Sequence, residues 1–314
     1  MPTTTPATST ITVTTRPIKR VIGAVVLGLG LVSCQVPERP LEPESSPEAA
    51  QQLTFESLRL HQADKNGQTV WKLQADKAVA DVQTRQVTAQ QVVGDIYAQG
   101  KPRYRVKAAQ ATVQEAQETL TVEGEITAED IQDRTVIKAR LLVWRPAQKE
   151  ILLKGNLEFR QPKLQVKAQE AIIRLRDNRL SLRQQVQVTN QKPALRISGE
   201  ALDWQWREGL VQALQPVQIV YTPEQLVVKA GGGQMDFPRQ VLRLSQGVEA
   251  VHQRGRLRAQ TVEWRIERQE VTASGNVFYT QTDPPLTVAG AQAEGNLAMR
   301  QIRVTRARTQ VIPE

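Results

Sequence analysis

Residues 164–171 read Leu164-Gln165-Val166-Lys167-Ala168-Gln169-Glu170-Ala171. Leu164, Val166 and Ala168 alternate with Gln165, Lys167 and Gln169, the period of two that marks a half-buried strand. One signature within this stretch, an aliphatic residue two places before a small one, recurs along the chain. It is found at Leu73/Ala75, Val106/Ala108, Ile137/Ala139, Val166/Ala168, Ile197/Gly199, Val228/Ala230, Leu257/Ala259 and Val288/Gly290. The small residues are spaced by 33, 31, 29, 31, 31, 29 and 31. A sustained period of this kind implies a repeat architecture, in which neighbouring units together bury a continuous core.

Chain breakers divide each unit. Arg145-Pro146, Asp177-Asn178, Glu208-Gly209 and Phe237-Pro238 mark a turn inside the unit. Gly100-Lys101-Pro102, Gln161-Pro162, Lys192-Pro193, Thr222-Pro223 and Asp283-Pro284-Pro285 mark the turn between units. Eight units of two strands predict about sixteen antiparallel strands, and no comparable stretch carries a helical period. Trp144, Trp204 and Trp264 sit five residues after the small residue of units three, five and seven, 60 residues apart. That spacing predicts a chain that coils with two units per turn, with equivalent positions stacked; covering an edge of the core is the plainer role for each indole. A long sheet folded over on itself encloses an apolar trough. If the facing sheets close, the trough is core; if they splay, it is a groove for long apolar ligands.

Hydrophobic residues make up 40% of the 314 residues and aromatics only 4%, so the core is aliphatic. The net charge of +9 favours acidic partners such as nucleic acid, anionic lipid or phosphorylated glycolipid. The single cysteine, Cys34, allows no intramolecular disulfide. It follows a basic segment (Arg16, Lys19, Arg20) and a 12-residue apolar run, Val21 to Val32. At about 1.5 Å per residue that run is shorter than roughly 30 Å of hydrocarbon, as in a signal peptide. Leu31-Val32-Ser33-Cys34 resembles the lipobox of bacterial lipoproteins, which implies cleavage before Cys34 and lipid attachment to it. Residues 1–33 then form the signal peptide, and residues 34–52 a tether rich in Pro and Glu, semi-stiff by composition. Residues 53–314 form the body, which carries all of the net positive charge because leader and tether cancel.

Val106-Lys107-Ala108-Ala109-Gln110-Ala111 with Gly124-Glu125-Ile126, Val166-Lys167-Ala168-Gln169-Glu170-Ala171, and Gly275-Asn276-Val277 after Ala259 together resemble the LptC and LptA (OstA-type) family of lipopolysaccharide transport. The resemblance covers residues 53–314 and implies a twisted, open antiparallel β-jelly roll, folded like a taco. It implies a protein that binds lipopolysaccharide or a similar glycolipid and passes it from an inner-membrane ABC transporter toward an outer-membrane translocon. Successive jelly rolls of this family join by edge-strand pairing. A lipobox in place of a transmembrane helix, and a longer body, depart from the usual LptC pattern. The expected place is the periplasmic side of a Gram-negative-type envelope, lipid-anchored, at the inner membrane.

Val106, Ile137, Val166, Ile173, Ile197, Val228 and Leu257 are the candidate lining residues of the acyl groove. The last strand, through Arg300, Ile302, Arg303, Val304, Arg306 and Arg308, is the candidate partner edge, its arginines either blunting an exposed edge or meeting an acidic partner. No catalytic constellation is present: G-x-S-x-G and H-E-x-x-H are absent, and Gly231-Gly232-Gly233 lacks the Lys-Ser/Thr of a phosphate loop, reading instead as a bulge. The adjacent acids Glu129 and Asp130 read as solvated surface. The expectation is a non-enzymatic protein with no cofactor, no metal and no nucleic-acid partner. The alternative is a structural or polysaccharide-binding β-solenoid lipoprotein, its interior filled by side chains.

Overall fold

The computed structural model describes residues 52–63, 67–98, 100–132, 134–145, 147–192, 194–283, 285–296, 301–305 and 308–310. The signal segment, Cys34 and the tether up to residue 51 lie outside these residues, as do Arg300 and Arg306; Gln52, expected at the end of the tether, is the first residue of the first strand.

Twenty strand segments form one sheet. They are β1 (Gln52–Ala63), β2 (Thr69–Asp81), β3 (Gln86–Ala98), β4 (Lys101–Gln114), β5 (Thr119–Asp130), β6 (Val136–Arg145) and β7 (Glu150–Arg160). There follow β8 (Leu164–Arg174), β9 (Arg179–Gln191), β10 (Ala194–Gln205), β11 (Leu210–Ala213), β12 (Val217–Tyr221), β13 (Leu226–Asp236) and β14 (Val241–His252). The last are β15 (Gly255–Ala259), β16 (Thr261–Arg265), β17 (Glu270–Thr282), β18 (Pro285–Asn296), β19 (Gln301–Thr305) and β20 (Arg308–Gln310). β11 and β12 are two halves of one pass across the sheet, both paired with β10 and β13. β15/β16 and β19/β20 are likewise halves of single passes. The eight two-strand units are therefore present, beginning with β2/β3, and β1 precedes them.

Each pass pairs antiparallel with the one before it and the one after it. The sheet is thus a continuous meander, and the expected coil of two units per turn is not formed. Only short connections separate consecutive strands, so these must be neighbours. Trp144, Trp204 and Trp264 occupy equivalent places on β6, β10 and β16, but four passes separate one from the next and they do not stack.

Nearly every pass turns a corner at its middle. In the first pass of each unit the corner starts at the small residue, and in β2, β4 and β8 it is written as Ala-x-x-Ala. Ala168 and Ala171 are both buried, although strict alternation would send residues three apart to opposite faces. In the second pass of each unit the inward pair is four apart, as in Leu153/Leu157, Leu182/Val186 and Leu244/Val248. One extra residue is absorbed there by left-handed backbone, at Gly155 and Asn156 or at Gln184 and Gln185. The register shifts accordingly between Lys154 and Leu157 against β8. These are β-bulges, which bend a strand sharply. Where the chain must be closest, the corner uses glycine: a Cβ on Gly124, at φ +97, would lie 2.6 Å from the Cβ of Ala109. Gly231 fills the same need, so the glycine run is a bulge as expected: a Cβ there would meet the Gln246 Cβ at 2.6 Å, and the register shifts beside it.

Stacked corners fold the sheet along a crease into two walls. The crease holds two rows, buried except for the half-buried Gly199 and Leu142. One runs Leu157–Ala168, then Val186–Gly199–Val217–Ala230–Val248–Ala259. The other runs Val122–Leu142–Leu153–Ala171–Leu182–Leu202. In the first row a small residue of one pass faces a larger one of the next, so that row interdigitates; the second row is mostly leucine. A buried Leu or Val contributes about 1.5–3 kcal/mol relative to exposure, and these rows supply the main core.

Candidate functional site

The interior of the fold continues from the crease up both walls. On the first wall, cross-strand partners run Leu60–Leu73–Gly94–Val106–Ala128–Ile137–Phe159–Val166. They continue Val188–Ile197–Ile219–Val228–Ala250–Leu257–Tyr279–Val288. On the second wall they run Val87–Val113–Leu120–Trp144–Ile151–Ile173–Leu180–Trp204–Val211–Met235–Leu242–Trp264–Val271. The only polar group in either run, apart from the indoles, is the Tyr279 hydroxyl. It donates to Gln281 at 3.0 Å, and burial pushes its pKa up, so it stays neutral.

The structure brings the seven candidate lining residues onto this interior. Val106, Ile137, Val166, Ile197, Val228 and Leu257 lie in the single row of the first wall. Ile173 lies opposite, on the second. It is seven residues from Val166, an odd number that strict alternation would place on the outer face, and the corner at Gln169-Glu170 returns it inward. All seven are half-buried. Val106, Val166, Ile173, Ile197 and Val228 pack on the main core, and Leu257 on a second cluster around Ala259 and Ala273. Of the second wall the sequence signature marks only Ile173 and the three tryptophans; Leu180 and Leu242 lie on the second pass of a unit, which carries no small residue to mark them.

The walls are less buried than the crease. Crease residues such as Ala171, Val186 and Val248 are at most 3% exposed, whereas Trp144 and Trp204 are 40% and 43% exposed, and Val113 43%. The interior is therefore a trough with a closed floor and solvent-facing walls. At about 4.8 Å per strand, some sixteen steps across the sheet give it a length on the order of 75 Å. The Trp264 indole N–H is buried in the second wall without an acceptor among the described residues.

At the C-terminal edge β19 pairs with β18, Ile302 opposite Gly295 and Val304 opposite Ala293. Val304 packs on the second core cluster and Arg303 is exposed. β20, which includes Arg308, pairs with the other half of β18. Among the described residues the far sides of β1 and of β19/β20 carry no partner strand. Glu129 is exposed as expected, but Asp130 is buried: it pairs with Arg103 and accepts the Gln132 N–H at 2.8 Å, fixing a turn. No helix among the described residues is long and apolar enough to cross a membrane.

No curated protein matches the chain. The family model described as lipopolysaccharide-assembly, LptC-related, matches it twice in succession, over residues 21–151 and 149–253. The remaining passes, β15 to β20, extend the same rows beyond the second match. With most of its length matched and an open antiparallel sheet folded about an apolar crease, the chain belongs to the LptC-related family of lipopolysaccharide-assembly proteins, a family of the Gram-negative envelope that serves lipopolysaccharide transport.

Proposed function

We propose that the trough holds the acyl chains of lipopolysaccharide while its sugars and phosphates stay in water at the mouth, and that the protein transfers this lipid without chemical change. One observation carries the reading: two apolar rows run across the sheet, half-exposed, facing each other over a buried floor. A continuous solvent-facing apolar surface of that extent marks an interaction site. A bound acyl ester would also supply the missing acceptor for Trp264. In this reading the inner-membrane ABC transporter loads the trough, and a further jelly roll or the outer-membrane translocon continues it beyond a free edge. Lipid on Cys34 holds the body to the inner membrane.

Photo-crosslinking amino acids at Val166, Ile173 and Ile197 should capture lipopolysaccharide in cells, and one at Lys167, which points outward, should not. Equal capture at Lys167 would reject this assignment of faces. For the anchor, Cys34→Ala should release the protein from membranes or leave its precursor uncut; a wild type that takes no lipid label would remove the anchor from the scheme.

A further inference from the structure

The outer surface of the sheet is as uneven as the inner one is uniform. Outside the second wall most cations are engaged by acids: Arg145 and Arg174 by Glu150, Lys154 by Glu170, Arg179 and Arg183 by Asp203, Arg243 by Glu263. Outside the first wall, Lys107, Lys138, Lys167, Arg196 and Lys229 are exposed and make no ion pair among the described residues. The acids nearby are Glu129, Glu158, Glu200 and Glu249; arginines engage Glu158 (Arg160) and Glu249 (Arg256 and Arg258), and Glu200 accepts the Gln185 N–H. The Arg160 hydrogen bond holds Glu158, and the Arg258 hydrogen bond holds Glu249, below the usual carboxylate range.

Two concavities lie on this same basic face. One, of about 1090 Å³, follows the outside of the crease from β9 to β17. The half-buried wall residues do not line it, but crease residues such as Val186, Val217 and Ala230 do; its polar lining includes Gln185, Gln187, Gln218, Gln260, Lys229 and Arg258, with the acids Glu200 and Glu249. The other, of about 280 Å³, is lined by Gln165, Lys167, Gln187, Thr189 and Arg196. Gln187 belongs to both, so they adjoin. The side-chain amides of Gln185, Gln187, Gln218 and Gln260 make no hydrogen bond to protein among the described residues. Such amides donate and accept at once, as hydroxyl-rich ligands require. Missing side chains keep the floor low: Gly199 and Gly231 both line the larger cleft.

From this juxtaposition we infer that the outer face of the first wall binds an extended, anionic, hydroxyl-rich glycan, on the side of the sheet opposite the lipid trough. The cleft is elongated, as a polymer requires. A flat anionic bilayer would touch the protruding cations but not the recessed amides. Exposed cations contribute attraction that salt screens, and the amides contribute the part that salt leaves. The glycan could be the phosphorylated saccharide of lipopolysaccharide or a carboxylated wall polymer, which share this chemistry.

The full-length chain in detergent is titrated calorimetrically with three probes: lipid-free lipopolysaccharide oligosaccharide, peptide-free wall glycan strands, and phosphatidylglycerol vesicles. At least one of the two glycans should saturate, and which one does so names the source. Lys167→Gln/Arg196→Gln/Lys229→Gln should weaken that binding tenfold or more and flatten its salt dependence. Gln187→Leu/Gln218→Leu should weaken it at high salt too. Lys149→Gln/Arg176→Gln/Arg207→Gln, at turns of the second wall, should not change it. Val166→Asp/Ile197→Asp should lose lipid crosslinking yet keep the glycan, which separates this site from the trough. Circular dichroism confirms the fold of each variant. Binding of neither glycan, of vesicles alone, or with unchanged affinity in both cleft variants would overturn the inference.

Discussion

Asp236 and Asp81 close hairpins of the second wall by one device. Each carboxylate accepts the backbone N–H three residues on: from Arg239 at 3.0 Å for Asp236, and from Thr84 at 2.9 Å for Asp81. Asp236 also takes the Arg239 guanidinium at 2.8 Å. That side chain, then the Arg239 N–H, holds Asp236 below its ordinary pKa; the Thr84 N–H does the same for Asp81. A carboxylate with a depressed folded pKa stabilises the fold above its unfolded pKa, about 3.9, and loses that contribution as pH falls through the folded value. Asp236→Asn should therefore lower Tm at pH 7, with the gap to wild type closing in acid below that range. Melts across pH decide it: a gap that stays constant would show that the turn geometry, not the charge, holds the hairpin.

At the scale of the strand, the free C-terminal edge makes the sharpest demand. The outer row of β19 and β20 offers unpaired N–H and C=O groups, with Arg303 exposed beside them. Deleting residues 297–314 should abolish coupling to the next jelly roll while the sheet up to β18 stays folded, read by partner pull-down and β-sheet circular dichroism. Retained coupling with an intact sheet would move the junction elsewhere. Changing Arg300, Arg303, Arg306 and Arg308 to Gln should mainly slow association, because charges at a rim steer encounter. Strands and their turns were legible in the sequence because Gln-Val-Lys-Ala alternation and Pro or Gly breakers act locally. The corners were only half legible. The second Ala of Ala168-x-x-Ala171 violates a period of two, and that violation was itself the signal for a bend. Left-handed Gln184, Gln185 and Gln246 carry no such mark, since a glutamine ordinarily avoids positive φ. The coil of two units per turn was read from tryptophan spacing alone; spacing fixes equivalence between units but not which units pair.

Across the whole molecule, each pass contacts only its neighbours, so the trough is modular along its length. Residues 199–229 span one repeat of 31, from one corner position to the next. Excising them joins Ser198 to Ala230, where Ile197-Ser198-Ala230 replaces Val228-Lys229-Ala230 with its inward and outward positions preserved. The shortened chain should fold into the same sheet with two passes fewer and a maximum dimension reduced by roughly 10 Å, as measured by small-angle X-ray scattering. Loss of sheet signal would show that distant passes depend on one another.

The strictly sequential pairing of the meander also sets how the molecule comes and goes in time. Native contacts form between stretches adjacent in the chain, so little loop-closure entropy is spent on any one of them. A chain threaded N-terminus first across a membrane can lay down β1, β2 and β3 before β18 has emerged, each new pass templated on the edge of the last. Loss of structure instead starts at both edges and moves inward, with the middle passes the last to exchange their amide hydrogens.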